Sequence, residues 1–168
     1  KTAFEIYNID YSEIKGAIIS SVVSVVTNIV KNAVVRLCAI NTLVVGPGIK
    51  TGISVVIDNP SQLGSDLITG AVAGVNEYNV PLIIIDMGTA TTVSVIDKNK
   101  QYIGGAILPG VAISHNALVE RTSQLPKVAY EQPKKVIGSN TIDCIKSGIM
   151  YGNAGALDGI IDRFNDEL

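Results

Sequence analysis

One stretch of this 168-residue chain constrains the fold more than any other: PLIIIDMGTATTVSVIDKNKQYIGGAILPG, from Pro81 to Gly110. Leu82 to Ile85 is a short apolar run rich in β-branched residues, which favours a buried strand over a helix. The run stops at a carboxylate, Asp86, followed by Met87, Gly88 and Thr89. A second β-rich segment, Thr91 to Ile96, leads into the polar turn Asp97-Lys98-Asn99-Lys100, and a third, Tyr102 to Leu108, closes on Pro109-Gly110. The pattern predicts a three-stranded antiparallel meander with an acid and a Gly-Thr turn at one rim. Such a turn frees backbone N–H groups and sets a hydroxyl beside them, a cradle suited to phosphate oxygens. The acid could hold a cation that offsets phosphate charge. An ordinary hairpin, in which Asp86 and Thr89 satisfy their own turn, accounts for the same residues.

Composition narrows the classes. Thirteen basic and 15 acidic residues give a formal net charge of -2. There is no basic patch, which argues against nucleic acid as a direct partner. Charged residues are only 17% and mean hydropathy is +0.38, yet no apolar run reaches the ~18–20 residues of a membrane span. No signal peptide is apparent. Cys38 and Cys144 sit in apolar sequence without metal-ligand spacing. They are expected to be buried free thiols of a reducing, cytoplasmic compartment. A single histidine, His115, argues against a His-rich metal site.

Taken in order, residues 1–12 read as a helix end and a loop, and Gly16 to Ser20 as a short buried strand. Apolar residues at Val22, Val25, Val26, Ile29, Ala33 and Leu37 predict an amphipathic helix capped by Ser20 or Ser21. Thr42 to Val45 and Ile53 to Ile57 read as strands. Between them, GPGIKTG (Gly46 to Gly52) is a tight loop with the ammonium of Lys50 and the hydroxyl of Thr51 at its tip, but without the Walker spacing. A helix opens at Leu63-Gly64-Ser65-Asp66, with Ile68, Val72 and Val75 inward. Asp66 in its first turn suits the free N–H groups there; alternatively it faces a cleft and accepts a proton. Beyond the meander, Val111 to Arg121 is a helix with Ile113, Ala117 and Leu118 inward and His115 on the surface. An aperiodic loop follows, Thr122 to Gly138, and then a last helix capped by Asn140 or Thr141. Ile145, Ile149, Ala156, Ile160 and Phe164 mark its apolar face. Gly148, Gly152, Gly155 and Gly159 share one stripe, which predicts close backbone packing against another element or subunit.

Four segments in this order, GPGIKTG, DNPSQLGSD (Asp58 to Asp66), DMGTATT (Asp86 to Thr92) and GGAILPG (Gly104 to Gly110), resemble the type III pantothenate kinases. Leu125-Pro126 and the segment Ile137 to Thr141 (IGSNT) extend the resemblance over essentially the whole chain. It implies an α/β, ribonuclease-H-like fold of the actin, Hsp70 and sugar kinase superfamily, two similar halves with a nucleotide cleft between them. Residues 1–79 would be the later part of the first half and residues 80–168 the second. The family's N-terminal DxGNT phosphate loop and a glycine-rich stretch near the adenine are not in this sequence, so the first half is expected to be incomplete. Leu67 stands where the family has Arg in GxDR, and Ile57 where an aromatic near the substrate is common.

The function so implied is ATP-dependent phosphorylation of pantothenate, the first step of coenzyme A biosynthesis, with Mg2+ and a monovalent cation (K+ or NH4+). By resemblance Asp66 is the general base, and Gly64, Ser65, Leu67 and Thr141 contact pantothenate. Thr89 contacts ATP phosphate, Asp86 binds the monovalent cation, and Lys50 lies at the pocket rim. A homodimer is implied, without nucleic acid or membrane partners. The competing reading is a non-catalytic relative that senses a ligand or acts as a transcription accessory protein.

Overall fold

The computed structural model describes residues 2–46 and 48–168; Pro47, within the GPGIKTG segment, lies outside them. The chain divides into two compact units, Lys1–Tyr78 and Asn79–Leu168, both mixing helices and strands. The class is mixed α/β.

The first unit opens with a short helix α1 (Thr2–Ile6) and is built on a strand–helix–strand unit: β1 (Ala17–Ile19), α2 (Ser24–Cys38) and β2 (Thr42–Val44). The two strands pair in parallel, Ala17 opposite Thr42 and Ile19 opposite Val44. A parallel pair needs such a crossover, and a helix supplies it. The Val45 amide extends the ladder by donating to the Ile19 carbonyl at 2.8 Å. Three expectations change here. The helix begins after Val23, which makes no side-chain cap; Ser21 Oγ accepts from the Val23 amide just outside it, and Ser20 and Ser21 serve another contact described below. The apolar stripe points outward: Val22, Val25, Val26 and Ile29 are exposed, and Thr27 is the buried residue of α2. The strand β1 is not buried, since Ile18 is 65% exposed and its cross-strand partner Leu43 is 50% exposed.

Next comes β3 (Ser54–Val55), shorter than Ile53 to Ile57 because the chain bends at Ile57-Asp58 ahead of a single 3-10 turn, Pro60–Gln62. Helix α3 (Ser65–Glu77) then closes the unit. Its buried residues are Ser65, Ala71 and Gly74, while Ile68, Val72 and Val75 are half-buried. The buried residues are all small, so the buried face does not follow hydropathy.

The second unit is organised by the expected meander: β4 (Leu82–Met87), β5 (Ala90–Ile96) and β6 (Gln101–Pro109), antiparallel in that order. The central strand carries the core, with Val93, Val95 and Ile96 buried alongside Tyr102. Inside the sheet, Ser94 Oγ and the Tyr102 hydroxyl meet at 3.0 Å, which satisfies both buried hydroxyls. The Asp97–Lys100 turn forms as read. Asp97 Oδ1 accepts from the amides of Asn99 and Gln101 at 2.9 and 2.8 Å.

Helix α4 (Val111–Arg121) follows, but rotated from expectation: His115 is completely buried, whereas Ile113 and Leu118 are exposed. The last helix is interrupted. It consists of α5 (Thr141–Ser147), a π-helical turn at Gly148–Gly152, and α6 (Asn153–Glu167). Asn140 caps α5, its side chain accepting from the Asp143 amide at 2.9 Å. The glycine stripe meets no close neighbour within the described residues. A Cβ on Gly148, Gly152 or Gly155 would touch nothing within 4 Å, and one on Gly159 would meet only the tip of Arg163. Nor is Cys144 buried; it is exposed, with Sγ 3.3 Å from the Gly138 carbonyl, and Cys38 is half-buried.

Candidate active site

In the first unit the site residues gather at the N-terminus of α3. Gly64 is the N-cap position, and Ser65, Asp66 and Leu67 form the first turn. Ser65 is buried, and its hydroxyl is fully used: it donates to the Ser21 carbonyl and accepts from the Ser21 amide, both at 3.1 Å, with Ser20 Oγ at 3.3 Å. It therefore staples the helix start to the end of β1, which leaves no hydroxyl donor for a ligand. Asp66 is the opposite case. Its carboxylate is exposed, and Oδ1 accepts from the Leu67 amide at 2.9 Å. One oxygen is thus steadied by the helix start, and Oδ2 stays available to accept a proton or a hydroxyl. Leu67 is half-buried. Lys50 is exposed in the loop before β3, where Gly48 and Gly52 hold φ of +90° and +86°, left-handed conformations that favour glycine.

In the second unit Asp86 lies within β4 and not after it, one residue deeper in the strand than the apolar run suggests. It is exposed, directly opposite Thr92 of β5. Directly opposed residues share a face with Cβ atoms ~4.5–5.5 Å apart. Thr92 Oγ1 is buried and has no hydrogen-bond partner among the described residues. A carboxylate beside an orphaned hydroxyl suits a hard cation that takes oxygen ligands. Met87 pairs with Thr91, so Gly88 and Thr89 turn the chain. The Gly88 amide is already engaged with the Ala90 carbonyl at 3.1 Å, so that N–H is not open to an anion. Thr89 is exposed. Gly110 backs this turn: a Cβ there would overlap the carbonyl oxygens of Gly88 and Thr89.

Thr141, the first residue of α5, borders a groove of about 340 Å3 between α4 and the last helix. Leu118, Leu125, Cys144, Ile149 and Asn153 are among the other residues that line it. The loop end beside it is tied down by Lys146, whose ammonium reaches Glu131 at 2.8 Å. That hydrogen bond, together with the charge of Lys146, holds the Glu131 carboxyl below its ordinary range. Sequence reasoning missed Thr92 and the groove-lining Leu118, Cys144 and Asn153. Thr92 could have been found only with the hairpin register, which sets it directly opposite Asp86.

Comparison with known proteins relates the chain to a class of kinases. The family model for type III pantothenate kinase matches residues 1–163. The type III pantothenate kinase of Geobacillus kaustophilus (strain HTA426) is 45% identical over 155 residues, which cover 92% of this chain and 60% of that protein. Among solved structures, one described as a conserved Baf family transcriptional activator from Campylobacter jejuni aligns with a TM-score of 0.59 at 19% identity, over 94% of this chain and 68% of that one; at that identity the likeness is one of fold. The chain belongs to the type III pantothenate kinase family. It spans 60% of the length of its curated Geobacillus relative.

Proposed function

We propose that this chain supplies the catalytic-base and acceptor-binding parts of an enzyme that phosphorylates pantothenate with ATP to give 4'-phosphopantothenate, the first step of coenzyme A biosynthesis. Family membership, through the match over residues 1–163, carries this reading. In it the two units correspond to the two ribonuclease-H-like halves, and the protein works in the cytoplasm as a homodimer.

The chemistry follows from the residues in place. The primary hydroxyl of pantothenate attacks the γ-phosphorus of ATP, the bond to the ADP oxygen breaks, and the hydroxyl proton passes to Asp66. In a loose phosphoryl-transfer transition state that proton leaves late, so Asp66 acts first by orienting the hydroxyl and then as its acceptor. The Leu67 amide fixes Oδ1 and leaves Oδ2 to meet the substrate. Gly64 and Leu67 flank the acceptor. Ser65 contributes by holding the helix start, through Ser21, and not by a hydroxyl contact. Thr89 meets the ATP phosphates. Asp86, with Thr92 Oγ1 beside it, would hold K+ or NH4+, and Mg2+ accompanying ATP would offset phosphate charge. Thr141 contacts pantothenate from the groove wall, and Lys50 stands at the rim.

The test is ATP-dependent phosphorylation of pantothenate by the native gene product, with and without potassium. Asp66→Asn is expected to lower kcat at least about tenfold, roughly 1.4 kcal/mol of barrier, with nucleotide binding retained. A smaller loss removes Asp66 from the role of base. Absence of any turnover by the native product would favour a ligand-sensing relative, the description attached to the Campylobacter structure being that of a transcriptional activator.

A further inference from the structure

His115 is the only histidine of the chain and is 0% exposed. Both its nitrogens are spent on one short loop segment. The Val128 amide donates to Nε2 at 3.2 Å, so Nε2 keeps its lone pair and the neutral ring carries its proton on Nδ1. Nδ1 lies 3.3 Å from the Tyr130 hydroxyl, and the two rings meet edge to face with centroids 5.4 Å apart. Three residues before Val128 is Leu125, a wall of the groove that Thr141 borders. The ring thus ties that wall to α4.

Among the described residues, the elements packed most closely on α4 offer no carboxylate to balance a charged ring. α4 packs on β5 and on the Gly148–Gly152 turn; β5 has no ionisable side chain, and the turn has only Tyr151. In the loop, Lys127 and Glu131 flank the contact, and Glu131 is paired with Lys146. On α4 itself the charged residues are Glu120 and Arg121, at its far end.

We propose that His115 is a positioning residue whose neutral ring latches the 125–130 loop onto α4, and whose protonation releases that loop and opens the groove beside Thr141. A second proton has only Nε2 to occupy, where it would face the Val128 N–H, donor against donor. The ring can be charged only when the loop lifts. Imidazole is the side-chain type that takes up a proton in mild acid, and a charged ring cannot accept from Val128, so acid favours the lifted loop. The bearing on catalysis rests on Thr141 contacting pantothenate; the latch does not, and it is read without turnover.

With one histidine, nitrogen NMR of the ring is unambiguous. At about pH 7.5 the Nδ1–H tautomer is expected. Between about pH 7.5 and about pH 5 the Val128 amide should lose roughly tenfold or more of its protection from exchange. The Asp143 amide, bonded to Asn140, should keep its own. Glu131 stays ionised over this range because its carboxyl is held below the ordinary value of 4.5. His115→Gln, whose amide oxygen accepts from Val128 without titrating, should keep the protection at both pH values. His115→Phe should lose roughly 5- to 10-fold at neutral pH, one hydrogen bond's worth; if that variant does not fold, the wild-type and Gln arms decide. An Nε2–H tautomer at neutral pH would overturn the proposal. So would Val128 protection that survives beside an imidazolium signal, or a Gln variant that loses protection with acid as the wild type does.

Discussion

Gly110→Ala is the substitution whose cost can be worked most directly from the geometry. Gly110 precedes α4 with φ -63° and ψ 157°, a conformation alanine adopts without strain, so torsional preference contributes little. The cost comes from contact. An added Cβ would overlap the carbonyl oxygens of Gly88 and Thr89 and approach the Thr89 carbonyl carbon at 2.8 Å. These are backbone atoms of a tight turn and cannot rotate aside. To reach ordinary van der Waals separation the turn or the start of α4 must move by roughly 1 Å. Overpacking of this kind costs about 1–3 kcal/mol. In a chain of this length it would lower the melting temperature by about 2–12 °C. Urea unfolding, followed by protection of the Val93 and Gly105 amides, measures the stability term. Backbone shifts of Gly88 and Thr89 report the displaced turn. Stability unchanged within about 0.3 kcal/mol, with the Gly88 and Thr89 signals unmoved, would refute the reasoning.

Other expectations follow from single contacts. Ser65→Ala should cost about 1–3 kcal/mol, because it leaves the amide and carbonyl of Ser21 unpaired, and chemical denaturation of the first unit checks it. Gly155→Ala places a methyl in open space inside α6 and should add about 0.5–1 kcal/mol in thermal unfolding; a loss would locate a close neighbour on that stripe. The Glu131–Lys146 tie depends on a carboxylate held below 4.5. Its contribution is therefore present above that value and lost as pH falls through the lower folded one. Lys146→Ala should return the Glu131 titration, followed by carboxyl NMR, to the ordinary range.

The meander was legible because three signals agreed: β-branched runs, a Gly-Thr turn and a polar Asp-Lys-Asn-Lys turn. The Asn140 cap was legible for the same reason, a local side chain serving a local amide. Helix faces were not. Hydropathy put Ile113 and Leu118 inward and His115 outward, but the partners that make the imidazole a core residue lie 13 and 15 residues away in an aperiodic loop. Ser65 likewise owes its burial to Ser21, 44 residues earlier. The π-helical turn at Gly148–Gly152 shifts the phase between α5 and α6. One helical wheel drawn through both therefore puts Ala156 on a face it does not occupy; it is exposed. At the candidate site, the sequence singles out Asp66 and Asp86 by residue type and context. The free oxygen of one and the orphaned Thr92 hydroxyl beside the other needed coordinates.

The outward valines of α2 have a practical consequence. Val22, Val25, Val26, Ile29 and Val30 all lie open to solvent, with Ile18 and Leu43 exposed on the strands that the helix connects. Contact between such surfaces releases ordered water and strengthens when sulfate is excluded from the protein surface. The solubility of this chain will therefore fall steeply with ammonium sulfate and with concentration. Replacing Val25 and Ile29 by glutamate should raise the salting-out point with little effect on the fold, since neither side chain is buried in it.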